Sequence, residues 1–200
     1  MSSNPTATET QPLPPISSLP SLPQETQFHV LDTLFEPSPE LHTLMAPVLA
    51  NQPFSSYTAL IDAVGGRMSA LHAANSPRDK EVLEGILGSH PRLGESAAKK
   101  EHMSDLSRKE QANLNAGAEA EAEREKEQLR ALNQEYEGKF PGLRYVVFVN
   151  GRGRDVIMQD MRRRIDRGDI EKEKEEIIQA MCDIANDRAR KLQQLWAGLS

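Results

Sequence analysis

Between Phe28 and Leu87 the chain is cut by proline and serine into four short apolar stripes, and this punctuation limits the fold more than any other feature. Phe28, Leu31, Leu34 and Phe35 recur at three- and four-residue spacing, which places them on one face of a helix. Pro37 and Pro39 end that helix. Pro39 suits the first position of the next, with Ser38 as its cap. Leu41, Leu44, Met45 and Val48 give the second stripe, and Pro53 with Ser55 and Ser56 marks the following boundary. Tyr57, Leu60, Ile61, Val64, Met68 and Leu71 form the third, running across Gly65 and Gly66. Ser76 and Pro77 open a fourth, bearing Val82, Leu83, Ile86 and Leu87 and stopped by Gly88. Helices this short are marginal alone and gain stability by burying their apolar faces together.

Downstream the pattern stays helical. A long helix is expected from about Ser107 to Lys139, solvated in its Ala/Glu-rich middle from Ala116 to Gln128. Arg144 to Asn150 is a strand-like run, followed by Gly151 and Gly153, with Asp155 expected to cap the next helix. A last helix, from about Asp169 to Trp196, turns Ile177, Ile178, Met181, Ile184, Ala185, Leu192 and Leu195 inward. The expected fold is all-α, a single bundle of seven or eight helices with one short extended segment near residues 144–150. At 4% aromatic residues its core should be mostly aliphatic, and the composition argues against a sandwich or barrel. Residues 1–23 hold 6 of the 13 prolines. They are expected to be a disordered Pro/Ser/Thr-rich tail on a domain spanning 24–200, removable with little effect on folding or turnover.

Charge and side-chain inventory narrow the function classes. A net charge of −6 argues against general nucleic-acid affinity, and the arginines at 152, 154, 162, 163, 164 and 167 read as a solvated face balanced by acidic neighbours. No apolar run is long enough for a membrane span. The lone cysteine, Cys182, cannot close an internal disulfide and carries no sign of activation. The five histidines show no metal-binding spacing, so no metal is expected. A reducing, cytoplasmic setting is the expectation; the ending Ala197-Gly198-Leu199-Ser200 is not of the Ser-Lys-Leu type that would address a peroxisome.

Three places can carry chemistry. His90, in Ser89-His90-Pro91-Arg92-Leu93-Gly94, follows a helix end and is held out of α geometry by Pro91. It is either an acid–base group or a turn histidine bonding a carbonyl. Ser107-Arg108-Lys109-Glu110-Gln111 is either a capping box or a polar cluster of Ser107, Glu110 and Gln111 at a helix N-terminus, suited to an anionic, amide-bearing ligand. Val147-Phe148-Val149-Asn150-Gly151-Arg152-Gly153 hints at a phosphate loop, but lacks the third glycine and any Gly-Lys-Ser/Thr.

Taken in order, His90-Pro91-x-Leu93-Gly94, Ser107-x-x-Glu110-Gln111 and Asn133-x-x-Tyr136-x-x-Lys139-Phe140 resemble the 2-oxo-4-hydroxy-4-carboxy-5-ureidoimidazoline (OHCU) decarboxylases, which act in the conversion of urate to S-allantoin. Pro53-Phe54-Ser55-Ser56, Val147-Phe148-Val149-x-Gly151-Arg152 and Ile184-Ala185-x-x-Arg188 extend the resemblance over roughly residues 25–195. It implies an all-helical, often dimeric enzyme that needs no cofactor, with His90 and Glu110 catalytic. Pro91, Ser107, Gln111, Arg188 and the backbone at Val147, Phe148 and Val149 would bind a small anionic substrate. Two departures stand out: Arg92 follows His90-Pro91 where the family often has Asp, and Lys139-Phe140-Pro141-Gly142-Leu143-Arg144-Tyr145 replaces Lys-Phe-Gly-Phe-Pro-Phe. The competing readings are a non-enzymatic helical scaffold, and a hydrolase or epimerase acting on a related ring.

Overall fold

The structure, a computed structural model, describes residues 13–94 and 119–197. A 3-10 turn at Ile16–Ser21 precedes α1 (Gln24–Phe35), α2 (Pro39–Asn51), α3 (Tyr57–Ala74) and α4 (Pro77–Leu87). After the undescribed stretch come α5 (Glu119–Lys139), α6 (Arg154–Arg167) and α7 (Ile170–Ala197). The described part is all-helical, as the stripes require, and residues 143–149 belong to no helix and pair into no strand.

The local signals act as expected at three helix starts. Ser38, Ser56 and Ser76 each accept the amide of the residue three further on, at 3.1–3.2 Å, and Pro39 and Pro77 occupy first-turn positions where no amide partner is needed. Asp155 differs from its expected role. The helix begins at Arg154 with Gly153 as its cap residue, so Asp155 lies inside the first turn, where its charge favours the helix dipole without capping. At α7, Asp169 Oδ1 accepts the amides of Glu171 and Lys172 at 3.1 and 3.0 Å.

Helices α3 and α7 form the centre, with α1 against α7, α4 against α3, and α5 against α6. The α3–α7 approach is close at Gly65, where a β-carbon would stand 2.8 Å from Cys182 Sγ. That is why a glycine interrupts the third stripe. Burial in this seam pushes the Cys182 thiol up to about 11, so it stays protonated and unreactive at neutral pH. The buried core is largely aliphatic, with an aromatic cluster at one end. There Tyr136 lies 5.0 Å from Phe140 and packs edge-on to Tyr145 at 5.6 Å.

Leu13 and Leu19, expected in the tail, pack on the hydrophobic core. Leu13 and Leu19 are buried, Gln27 donates to the Leu19 carbonyl at 2.9 Å, and Tyr57 Oη donates to the Pro14 carbonyl at 2.6 Å. The signal was hidden because two well-placed leucines suffice to dock a proline-rich segment that has no helical period of its own. Leu19→Ala is expected to cost about 2–5 kcal/mol, since its side chain is fully buried. A urea midpoint unchanged by that substitution would return the segment to the tail.

Candidate functional site

His90 sits just beyond α4. Gly88 closes that helix, and Ser89 donates to the Ile86 carbonyl through both its amide (3.2 Å) and its hydroxyl (2.7 Å). The turn that follows is clamped to one face of α5. Leu129, Asn133 and Glu137 lie at successive four-residue steps, and each meets the turn at a different point. Glu137 takes a two-pronged ion pair from Arg92, with Nη2 to Oε2 at 2.8 Å and Nε to Oε1. Asn133 Nδ2 donates to the Leu93 carbonyl at 2.9 Å. Leu129 leaves no room beside Gly94, where a β-carbon would come within 2.4 Å of its Cδ2 and where φ is +81°, so glycine is required on two counts. Arg92, a departure from the family pattern, thus has a definite task in holding the turn.

The His90 ring is set among charges. Its Nδ1 is buried and without a hydrogen-bond partner among the described residues. Burial, with the positive charges of Arg188 and then Arg144 outweighing the opposing Glu36 carboxylate, lowers its pKa to about 4. The imidazole is therefore neutral at physiological pH, able to accept a proton but not initially charged. Arg188, on α7, is fully buried; its Nη2 pairs with Glu36 Oε1 at 2.8 Å, and its Nη1 lies 3.2 Å from the Leu34 carbonyl and 3.4 Å from that of Thr33. Glu36 closes α1 with φ +87°, a conformation rare outside glycine, and this turns its buried carboxylate toward the guanidinium. Arg144 Nη1 donates to the His90 carbonyl at 3.1 Å, tying the segment after α5 to the histidine turn.

A second buried network holds the segment at 143–149. Arg164 is 2% exposed, in contrast to the solvated arginine face expected from sequence. Its Nη1 donates to the Val146 carbonyl at 3.0 Å, its Nε donates to Glu173 at 2.7 Å, and its guanidinium carbon stands 4.7 Å from the centre of the Tyr145 ring. Glu173, wholly buried, also takes Tyr136 Oη at 2.5 Å and Arg167 Nη2 at 2.8 Å, which compensates its charge inside the core. Tyr145 Oη donates to Asp160 at 2.6 Å. With Val146 fixed, Val147, Phe148 and Val149 lie half-buried, and Arg152 takes the carbonyls of Phe148 and Val149. The amides of residues 147–149 donate no hydrogen bond among the described residues.

Of the residues singled out by sequence, the structure brings together His90, Pro91 and Arg188. Ser107, Glu110 and Gln111 lie outside the described residues. Val147 and Phe148 border a cavity of about 290 Å³ between α6 and α7 whose lining includes neither His90 nor Arg188. Glu36, Arg144, Arg164 and Glu173 were missed. Glu36 carried one signal, an acidic residue between an apolar helix end and Pro37, where the chain must leave α geometry. Among the described residues no group of three His, Cys, Asp or Glu side chains is placed to hold a metal ion, and no helix is long and apolar enough to cross a membrane.

Fold and site together define an all-helical protein in which a histidine turn beyond α4 stands among guanidiniums from α7 and from the segment after α5. The family model of OHCU decarboxylase matches residues 20–190, and the chain belongs to that family. It is accordingly an enzyme, a carboxy-lyase of urate catabolism, and the scaffold reading falls away. A search of curated proteins found no match.

Proposed function

We propose that the chain decarboxylates 2-oxo-4-hydroxy-4-carboxy-5-ureidoimidazoline to S-allantoin without a cofactor. The observation that carries this reading is a half-buried imidazole, its Nδ1 enclosed and unpartnered among the described residues, held neutral by its surroundings beside the Arg188–Glu36 pair in a chain of this family. In this substrate the carboxylate is attached to the hydroxylated ring carbon, next to a ring C=N bond. Breaking the carbon–carboxylate bond releases carbon dioxide; its electron pair becomes a C=C bond between the two ring carbons, and the C=N pair moves onto the ring nitrogen, which takes up a proton from solvent. The ring hydroxyl then gives up its proton as the carbonyl forms, and a proton is added to one face of the carbon bearing the ureido group.

His90 is the acid–base group. Being neutral, it can receive the hydroxyl proton and hand it on to the ring carbon. Glu110 holds His90 or the ring hydroxyl in position. Ser107 and Gln111 fix the ureido and ring amides, and Pro91 shapes the wall beside the imidazole. Arg188 serves the substrate's carbonyl oxygens with its planar donors, and the amides at Val147, Phe148 and Val149 supply further donors. The partner is a small anionic molecule, with a cytoplasmic setting and a homodimer as further parts of this reading.

The direct test adds freshly generated substrate and follows optical rotation. A fast rise to S-allantoin is expected; slow, racemic product matching the blank would remove the proposal. Glu110→Gln separates catalysis from capping. The catalytic role predicts a rate loss on the order of 10²–10⁴ at unchanged melting temperature. A capping box predicts normal turnover and a stability loss below about 1 kcal/mol, because Gln keeps the reciprocal hydrogen bond.

A further inference from the structure

Three arginines stand around the His90 turn, and they are matched differently. Arg188 is paired with Glu36, and Arg92 is paired with Glu137 through both prongs. Among the described residues Arg144 has no carboxylate partner; its hydrogen bond goes to the His90 carbonyl, so no described carboxylate neutralises its charge. It is only half-buried, in the segment immediately after α5, so a molecule reaching His90 can reach it as well. Its charge is also felt at the imidazole, where it opposes protonation. The segment itself is pinned from both sides. Gly142, with φ +86°, permits the turn that follows Phe140, and Tyr145, one residue after Arg144, is fixed through Asp160. Arg144 therefore stands on a rigid base, and a guanidinium with donors in a planar fork suits a carboxylate better than a point charge does.

We propose that Arg144 is the residue that recognises the carboxylate on the substrate ring. The proposal rests on the decarboxylase reading above for the identity of the substrate, but the recognition itself is of a ring-borne carboxylate. One nitrogen anchors the guanidinium to the His90 backbone, so the carboxylate is held at a fixed place relative to the imidazole. Because this interaction is made before the carboxylate departs, it contributes to binding rather than to the chemical step.

The test compares the wild-type chain with Arg144→Gln and Arg144→Lys, using two inert ligands and the substrate. Imidazole-4-carboxylate carries the ring carboxylate; allantoin, the product, has lost it. Calorimetry on Arg144→Gln is expected to show affinity for imidazole-4-carboxylate reduced by about 10- to 100-fold, the range for a charge-assisted hydrogen bond. Allantoin binding should be nearly unchanged, and Arg144→Lys should recover part of the loss. In kinetics the Gln variant should raise KM while kcat holds or rises. Equal weakening of both ligands, or a fall in kcat alone, would overturn the proposal and leave Arg144 as a positioning residue for the His90 turn. Wild-type binding of imidazole-4-carboxylate that depends on Arg144, in a chain that produces no S-allantoin, would uphold the carboxylate site and reject the decarboxylase reading. Turnover to S-allantoin with an unaltered KM in Arg144→Gln would do the reverse.

Discussion

His90→Asn is expected to lower turnover on the order of 10²–10⁴-fold, the range for loss of a general acid–base group, with the fold retained because Asn tolerates the turn before Pro91. The lowered pKa gives this expectation a pH signature. In the free enzyme kcat/KM should stay level from neutrality downward and fall only as the imidazole protonates, with its limb near pH 4. A bound carboxylate opposes part of that depression, so the corresponding limb in kcat should lie at higher pH. Stability follows the same group. An unfolded histidine titrates near 6.5, so between that value and about 4 the unfolded chain holds a proton that the native chain lacks. The contribution is present in full above pH 6.5 and is lost as pH falls toward 4, amounting to up to about 3 kcal/mol. His90→Asn should remove that slope along with the activity. A variant that keeps both turnover and slope would reduce His90 to a turn residue.

The helical architecture was legible because its signals are local. Serine caps, first-turn prolines and three-to-four spacing fix α1 to α4 whatever surrounds them. His90 was legible for the same reason, since Pro91 declares an extended residue at a helix end. What escaped were pairings across long sequence separations. Arg188 and Glu36 are joined across the whole domain, Arg144 reaches back to His90, and Arg164 meets Glu173 under Tyr136 and Tyr145. A charged residue in an amphipathic pattern reads as surface, and nothing in period or spacing says that an opposite charge will meet it in the core. The strand-like run is a separate case. Its β-branched residues satisfy a strand pattern, but no neighbouring strand exists among the described residues to pair with it, so arginine side chains take up its carbonyls instead.

Arg188→Met is expected to destabilise the protein by about 3–5 kcal/mol, the cost of breaking a buried ion pair by removing one partner. Arg188 is 0% exposed and Glu36 is 1% exposed, so neither charge can return to water without opening the contact between α1 and α7. The guanidinium also lies against two carbonyls at the end of α1, and Glu36 holds an unfavourable backbone angle there, so the loss falls on a helix end that is already strained. Against a usual domain stability of about 5–15 kcal/mol this is a large share. Arg188→Lys keeps the charge but gives up the planar fork, and should combine a smaller stability loss with weaker substrate binding. Sequence alone suggested only the binding loss. Pairing Arg188→Met with Glu36→Gln removes both charges, and should restore part of the stability without restoring activity. The histidine reports on the same change. Without the Arg188 charge, the kcat/KM limb of a Met variant should move up from about 4, whereas Glu36→Gln alone should move it down. Urea unfolding and pH profiles on this set therefore test one arrangement in two ways. A urea midpoint and an acid limb both unmoved by Arg188→Met would show that the pair neither supports the α1–α7 contact nor acts on His90.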